Sequence, residues 1–228
     1  MTPFLSVVVP CCNEEGNVPV LREQLLPALK ALGVSWELVC VDDGSTDGTF
    51  AALEALEGAR VVRHERNRGL AAALQTGIAA ARGEWLVPLD ADLTFPAEHL
   101  KDLLDAQKRT GADCVTGSPI RGRFEGVPVS RQIPSRILNG LYGLLFDRRI
   151  TSFTPLLRLY RTAQVKALSL SAKGFEVNAE ILVLLLKSGA RVEEIPVTLK
   201  TRHWGASKLR RWRELSRHAR LIARLLAS

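Results

Sequence analysis

The chain has few of the features that would place it outside the ordinary globular class. Aromatic residues make up 6% of it, there is one methionine, and there are four cysteines in 228 residues. No apolar run approaches the roughly 20 residues that span a bilayer, since the longest nearly apolar stretch is Ile137 to Phe146. The N-terminus lacks the basic-then-apolar layout of a secretory signal. No internal repeat or low-complexity segment interrupts the chain. The cysteines form neither a zinc spacing nor a Cys-x-x-Cys, because Cys11 and Cys12 are adjacent and Cys40 and Cys114 stand alone. Three of the four lie in or beside apparent strands, which suggests reduced cytosolic thiols rather than a disulfide framework. With 46% hydrophobic content, one sizeable domain is the simplest reading.

What is present is alternation. Leu5 to Pro10 reads as a buried strand and is followed by a polar turn, Cys11 to Asn17. Val18, Leu21, Leu25, Leu29 and Leu32 then recur at helical spacing. Glu37 to Val41, Val61-Val62 and Trp85 to Leu89 read as further strands, with a helix over 70–82. Strands alternating with helices predict an α/β fold with a mostly parallel, doubly wound sheet flanked by helices. Ligands in such sheets sit beyond the carboxyl ends of the strands, where three polar clusters fall. They are Cys11 to Asn17, Asp42 to Thr49, and Asp90-Ala91-Asp92. If the last segment stays extended, Asp90 and Asp92 point the same way and can share a hard divalent cation.

Those clusters carry a resemblance. Val-Val-Val-Pro-x-x-Asn-Glu-Glu, Val-Asp-Asp-Gly-Ser-Thr-Asp-Gly-Thr, Asn-x-Gly-x-x-x-Ala and Asp-Ala-Asp-Leu follow in order. The chain resembles the family 2 glycosyltransferases of GT-A fold, whose sheet is Rossmann-like. Gly117-Ser118, Arg131 to Ser135 and Arg202 to Leu209 are similar to the dolichyl-phosphate mannose synthase branch, whose members glycosylate a polyprenyl phosphate. The resemblance implies a nucleoside-diphosphate sugar as donor, inversion at the anomeric carbon, and Mg²⁺ or Mn²⁺ held by Asp90 and Asp92. It implies a donor-nucleotide site formed by Pro10, Asn13, Glu14, Asp42, Asp43 and Ala91. Arg202 and Lys208 would belong to a loop closing over the diphosphate. Arg131 and Ser135 would grip the acceptor phosphate, joined by Arg121 because the arginine expected after Ser118 is replaced by Pro119. Alternatives are a hydroxyl acceptor on a glycan or the cell wall, or a degenerate nucleotide-sugar-binding module at the membrane.

Three departures bear on that choice. Thr94 stands where relatives often place glutamine near the metal, and Pro119 where they place arginine. Ser152 aligns with an acidic residue six positions before Arg158. Loss of a general base matters for a hydroxyl acceptor, where such a base contributes about 10²–10⁴-fold. A phosphate monoester, with a second pKa near 6, is already a dianion at neutral pH and attacks unaided. Ser152 therefore favours a phosphate acceptor. Asp147 and Glu180 are alternative carboxylates, and Glu176 and Glu180 sit in a segment that resembles the helix start behind the acceptor pocket.

Charge is concentrated at one end. From Lys200 onward there are nine basic residues and one acid, Glu214, against +7 for the whole chain, so the rest is close to neutral. Leu209 to Leu226 reads as an amphipathic basic helix with Trp212, Leu215, Ala219, Ile222 and Leu226 on its apolar face. Such a helix either packs on the domain or lies in the plane of an anionic membrane. Nucleic acid is disfavoured because no aromatic-interleaved or helix-turn-helix pattern accompanies the charge. The expected organisation is a catalytic domain over 1–208 and a helix over 209–228. The chain is expected to be cytoplasmic, bound peripherally to the cytoplasmic face of the membrane by that helix or by an anchoring partner protein.

Overall fold

A computed structural model describes residues 2–201 and 211–227. Seven strands form one sheet: β1 (Leu5–Cys11), β2 (Trp36–Asp42), β3 (Ala59–Arg63), β4 (Trp85–Pro88), β5 (Cys114–Glu125), β6 (Arg158–Arg161) and β7 (Val192–Lys200). Their order across the sheet is β3-β2-β1-β4-β6-β5-β7. β1 to β4 are mutually parallel, β6 runs antiparallel between β4 and β5, and β7 is parallel to β5. The expected α/β architecture is therefore present, with one reversed strand that apolar periodicity did not disclose.

Helices cover both faces. A helical run begins in 3-10 geometry and continues as α1 (Val18–Val20), a π-helical turn and α2 (Leu26–Ala31). It is followed by α3 (Thr49–Glu54), α4 (Leu70–Ala80), α5 (His99–Thr110), α6 (Val129–Leu145), α7 (Thr162–Lys166), α8 (Val177–Lys187) and α9 (Arg211–Ala227). Strand alternation sends neighbouring side chains to opposite cores. Val7, Val9, Leu38 and Cys40 pack with Leu21, Leu25 and Leu103 on one face. Val8, Val39 and Val41 pack with Leu74, Ile181 and Leu221 on the other. α4 lies so close to β1 that a Cβ at Gly77 would come within 2.2 Å of Val8 Cγ1. Only glycine fits there.

The two amphipathic helices of the C-terminal half sit differently. α9 buries His218, Leu221, Ile222 and Leu225 against the second core. Leu215 and Leu226, assigned by periodicity to its apolar face, are 46% and 57% exposed. The buried stripe is thus rotated from the expected one, and Ile222 is common to both. α6 keeps Asn139, Tyr142 and Gly143 inward while Val129, Ile133, Ile137, Leu141 and Leu144 face outward. No helix among the described residues is long and apolar enough to cross a membrane.

Candidate functional site

β1 has β2 on one side and β4 on the other, so the strand order reverses there and a crevice opens beyond the carboxyl ends. A cavity of about 600 Å³ occupies that crevice, within the about 300–1,000 Å³ usual for small-molecule sites. One wall is acidic: Glu14 follows β1, Asp43 follows β2, and Asp90 and Asp92 follow β4. The lining also carries cations, Arg68, Lys173, Arg213 and Arg217, with Glu214 paired to Arg217. A nucleoside diphosphate needs both, cations for its phosphates and oxygen donors for a bridging metal.

Asp90 and Asp92 meet by a different route from the one expected. β4 ends at Pro88, and the segment then turns tightly, with Leu93 N–H donating to the Asp90 carbonyl at 3.1 Å. Leu93 takes a left-handed φ of 45°. Thr94 N–H donates to Asp92 Oδ1 at 3.1 Å, which fixes the second carboxylate. The pair shares the cavity because of this turn, not because alternate residues of a strand share a face. Among the described residues no three acidic, histidine or cysteine groups cluster to hold a metal alone. Two carboxylates completed by phosphate oxygens and water suit Mg²⁺ or Mn²⁺, which keep part of their hydration shell. Thr94 spends its N–H on Asp92 and its carbonyl on Lys200 N–H, and it does not line the cavity.

The donor-side residues divide into wall and scaffold. Pro10, Glu14, Asp43 and Ala91 line the cavity. Asn13 does not. Its left-handed φ of 52° lets its N–H donate to Ser45 Oγ at 2.9 Å while its Oδ1 accepts from Thr46 N–H at 2.8 Å. It ties the first turn to the second. Asp42 also departs from expectation: it is fully buried, absent from the cavity wall, accepts Ser45 N–H and pairs with Arg63 Nε at 3.2 Å. Strand alternation turns it inward, so a direct contact with a base is not available in this conformation.

Asp43 acts as an anchor. Its Oδ1 accepts Arg68 N–H at 2.9 Å and faces His64 Nδ1 at 2.6 Å, and its Oδ2 accepts Gly69 N–H at 2.8 Å. These bonds hold the Asn67-Arg68-Gly69 turn against the cavity. Gly44 makes the approach possible: φ is +66°, and a Cβ there would lie 2.3 Å from the Arg66 carbonyl carbon. Cys12 lines the same wall and accepts Asn67 Nδ2 at 2.9 Å. Burial pushes the Cys40 and Cys114 thiols up to about 12 and the Cys11 thiol well above its ordinary value, so these three are inert at neutral pH.

The acceptor-side residues are not brought into this cavity. Arg121 donates to the Glu194 carbonyl at 2.9 Å. Arg131 is exposed on α6, and Ser135 Oγ accepts Asn139 Nδ2 at 3.3 Å. Ser152 is fully buried, bonded to Ser118 Oγ at 2.8 Å, with its N–H donating to Glu194 Oε1 at 2.8 Å. Glu194 also accepts Thr151 N–H and hydroxyl, and burial pushes its carboxyl above the usual range. A carboxylate does reach this loop, from behind and fully engaged. The alternatives are spent elsewhere, Asp147 on Arg149 at 2.7 Å and Glu180 on Ser171 and Ala172 N–H. Arg202 and Lys208 lie outside the described residues.

Sequence reasoning missed Lys173, which directly precedes the segment of Glu176 and Glu180, and read Arg213 and Arg217 only as part of a basic helix that packs on the domain or meets anionic lipid. Their place in the cavity wall depends on how α9 docks.

A family model described as glycosyl transferase family 2 matches residues 6–168. A dodecaprenyl-phosphate galacturonate synthase from Rhizobium johnstonii is 32% identical over 98% of this chain and 65% of its own. A dolichol-phosphate mannosyltransferase from Pyrococcus furiosus is 32% identical over 90% of this chain and 59% of its own. The chain thus spans about three fifths of the length of the curated relatives it matches. Glucosyl-3-phosphoglycerate synthase from Mycobacterium tuberculosis, solved with Mn²⁺ and UDP, shares the fold at a TM-score of 0.71 and 24% identity, covering 99% of this chain and 79% of its own.

Proposed function

The chain belongs to glycosyl transferase family 2, and from that premise we propose that it moves a sugar from a nucleoside diphosphate to a polyprenyl phosphate, with inversion at the anomeric carbon. The observation that carries the reading is the cavity at the switch point, whose lining brings Asp90 and Asp92 together with Lys173, Arg213 and Arg217. The relatives named for prenyl-phosphate chemistry, at 32% identity, support the acceptor class.

In this reading Asp90 and Asp92 hold the Mg²⁺ or Mn²⁺. When bound, the ion neutralises the diphosphate and stabilises the charge that gathers on it as the sugar leaves. Arg68, Lys173, Arg213 and Arg217 balance the remaining phosphate charge from the same cavity lining, and Arg202 and Lys208 would close over it. Pro10, Cys12 and Asn67 frame the nucleoside. The acceptor phosphate needs no carboxylate to remove a proton, which agrees with Ser152 being buried and bonded away from the cavity.

A membrane-borne acceptor requires the chain to work at a lipid surface, and α6 suits that role. Val129, Ile133, Ile137, Leu141 and Leu144 form one outward stripe, with Ile137 69% exposed. Arg131 and Arg136 flank it on either side, where they can meet lipid phosphates while the stripe enters the acyl boundary. Arg131 would then grip the acceptor phosphate at the depth where that phosphate resides.

The test is transfer of label from GDP- and UDP-sugars to polyprenyl phosphate, with Mn²⁺ or EDTA, followed in the organic phase. Metal-dependent lipid product is expected, with Asp92→Asn lowering the rate by about 10²–10³-fold. Nucleotide binding without lipid product from any donor would reject the acceptor assignment.

A further inference from the structure

α9 carries Arg213, Arg217, Arg220 and Arg224 on a single face, at intervals of four, three and four, over about 16 Å of helix. Arg213, Arg220 and Arg224 are exposed on that face and Arg217 is partly buried, and the face borders the 171–173 segment. Between the two lies a second cavity of about 400 Å³, lined by these four arginines together with Lys173 and Glu176. It abuts the switch-point cavity, with which it shares Lys173, Arg213 and Arg217. Arg220 and Arg224 belong to the second cavity alone.

Three acids border this ladder, fewer than the four arginines and Lys173 that line the cavity. Glu180 and Glu176 are 2% and 4% exposed. Glu180 accepts the N–H groups of Ser171 and Ala172, and Glu176 accepts that of Lys173. These bonds hold both carboxylates beneath the segment. Arg224 reaches only within 3.9 Å of Glu180 Oε1 and donates to the Ser171 hydroxyl, while Arg220 Nε donates to the Ser216 carbonyl of its own helix. Arg217 has a close acidic partner, Glu214 Oε1 at 2.7 Å. Like charges three and four residues apart destabilise a helix. Five cations line the cavity against one lining acid, Glu176, an excess of positive charge that an anion would relieve, and guanidinium forks match phosphate oxygens.

We propose that the groove between α9 and residues 171–173 is a second anion site, taking a phosphate group through Arg220 and Arg224 with Arg217 and Lys173 behind them. The phosphate is that of a soluble phosphate ester or of a lipid headgroup, and the site is separate from the Asp90–Asp92 pair. No step of glycosyl transfer enters the inference, so it stands or falls independently of the proposed reaction.

The experiment uses the whole chain in EDTA, so that no metal recruits phosphate to the switch-point cavity. One arm measures inorganic pyrophosphate by calorimetry, and the other measures co-sedimentation with phosphatidylcholine vesicles with and without phosphatidylglycerol. Arg220→Gln with Arg224→Gln is compared with the double lysine variant and with the Gln variant carrying Ala223→Arg, which returns a positive charge to a different helix face. The Gln variant is expected to weaken binding by about tenfold or more in one arm, with the lysine variant retaining most of it and Ala223→Arg restoring none. Loss in the pyrophosphate arm identifies a soluble ligand, and loss confined to the anionic vesicles a headgroup. Equal binding by all variants in both arms would overturn the site, as would full rescue by Ala223→Arg, because the effect would then be one of net charge. Unchanged thermal melting of the Gln variant would exclude misfolding as the cause, and if α9 detaches, the lysine variant alone decides.

Discussion

α6 and α9 are both 17-residue helices with apolar and basic residues interleaved, yet the fold uses them in opposite senses. α9 turns Leu221, Ile222 and Leu225 into the core and its arginines into a groove, leaving Leu215 and Leu226 outside. α6 turns small and polar groups inward, including Asn139, whose Oδ1 accepts Phe153 N–H at 2.6 Å, and leaves its apolar stripe exposed between arginines. Amphipathicity therefore does not say which face is buried. The arginines are also placed differently: α9, the more basic of the two, sets Arg217 against Glu214 and Arg224 against Ser171, whereas α6 holds Arg131 and Arg136 beside an exposed apolar stripe.

The largest expected effect comes from inverting this contrast by truncation. Leu221→Ala on α9 removes a 2% exposed side chain and should cost about 2–5 kcal/mol of stability. Ile137→Ala on α6 should stay within about 0.5 kcal/mol. Thermal or denaturant melting checks both, and equal losses would mean that α6 is covered in solution. Next, Ile133→Asp with Ile137→Asp should release the chain from phosphatidylcholine–phosphatidylglycerol vesicles by about 10²–10⁴-fold, since each withdraws roughly 1.5–3 kcal/mol of apolar insertion. Leu215→Asp with Leu226→Asp should change it little. Release by the α9 pair alone would return the membrane role to the C-terminal helix.

The smallest effect lies where the two helices touch. Tyr142 of α6 meets His218 of α9, hydroxyl to Nδ1, at 2.8 Å. Burial lowers the His218 pKa below its ordinary value, opposed by Glu176, and burial raises that of Tyr142. The unfolded chain thus binds a proton at His218 more readily than the folded one does. Stability is fully present above the unfolded pKa near 6.5 and is lost as the pH falls below it, toward the folded value, by at most about 1.4 kcal/mol per pH unit. His218→Gln should flatten that slope between pH 7 and 5. An unchanged slope would mean that His218 does not couple the helices.

Much of the N-terminal half was legible in the sequence. Strands that alternate between two cores read as continuous Val and Leu runs, and a sheet of that kind has its crevice at the strand tips. Asp90 and Asp92 were found on that ground, although the turn at Leu93, not strand alternation, makes them neighbours. Asp42 and Asp43 show the limit. Adjacent residues point to opposite faces, and nothing local states which of them meets the cavity.

The C-terminal half was less legible. β5, β6 and β7 lack the uninterrupted apolar runs of the first strands, as in Cys114–Glu125 and Val192–Lys200. Position 152 could be aligned but not placed, and Glu194, which bonds that loop from β7, lies 42 residues away in the chain.

The sequence by itself determined the α/β class, the family and the carboxylates at the tips of the first strands, because each rests on periodicity or on residues close together in the chain. Only the tertiary structure decided that Asp43 rather than Asp42 faces the cavity, that Lys173, Arg213 and Arg217 complete its wall, and that α6 rather than α9 presents its apolar stripe outward. Those outcomes depend on which surface of each element the rest of the fold covers, and packing across long separations sets that, not local spacing.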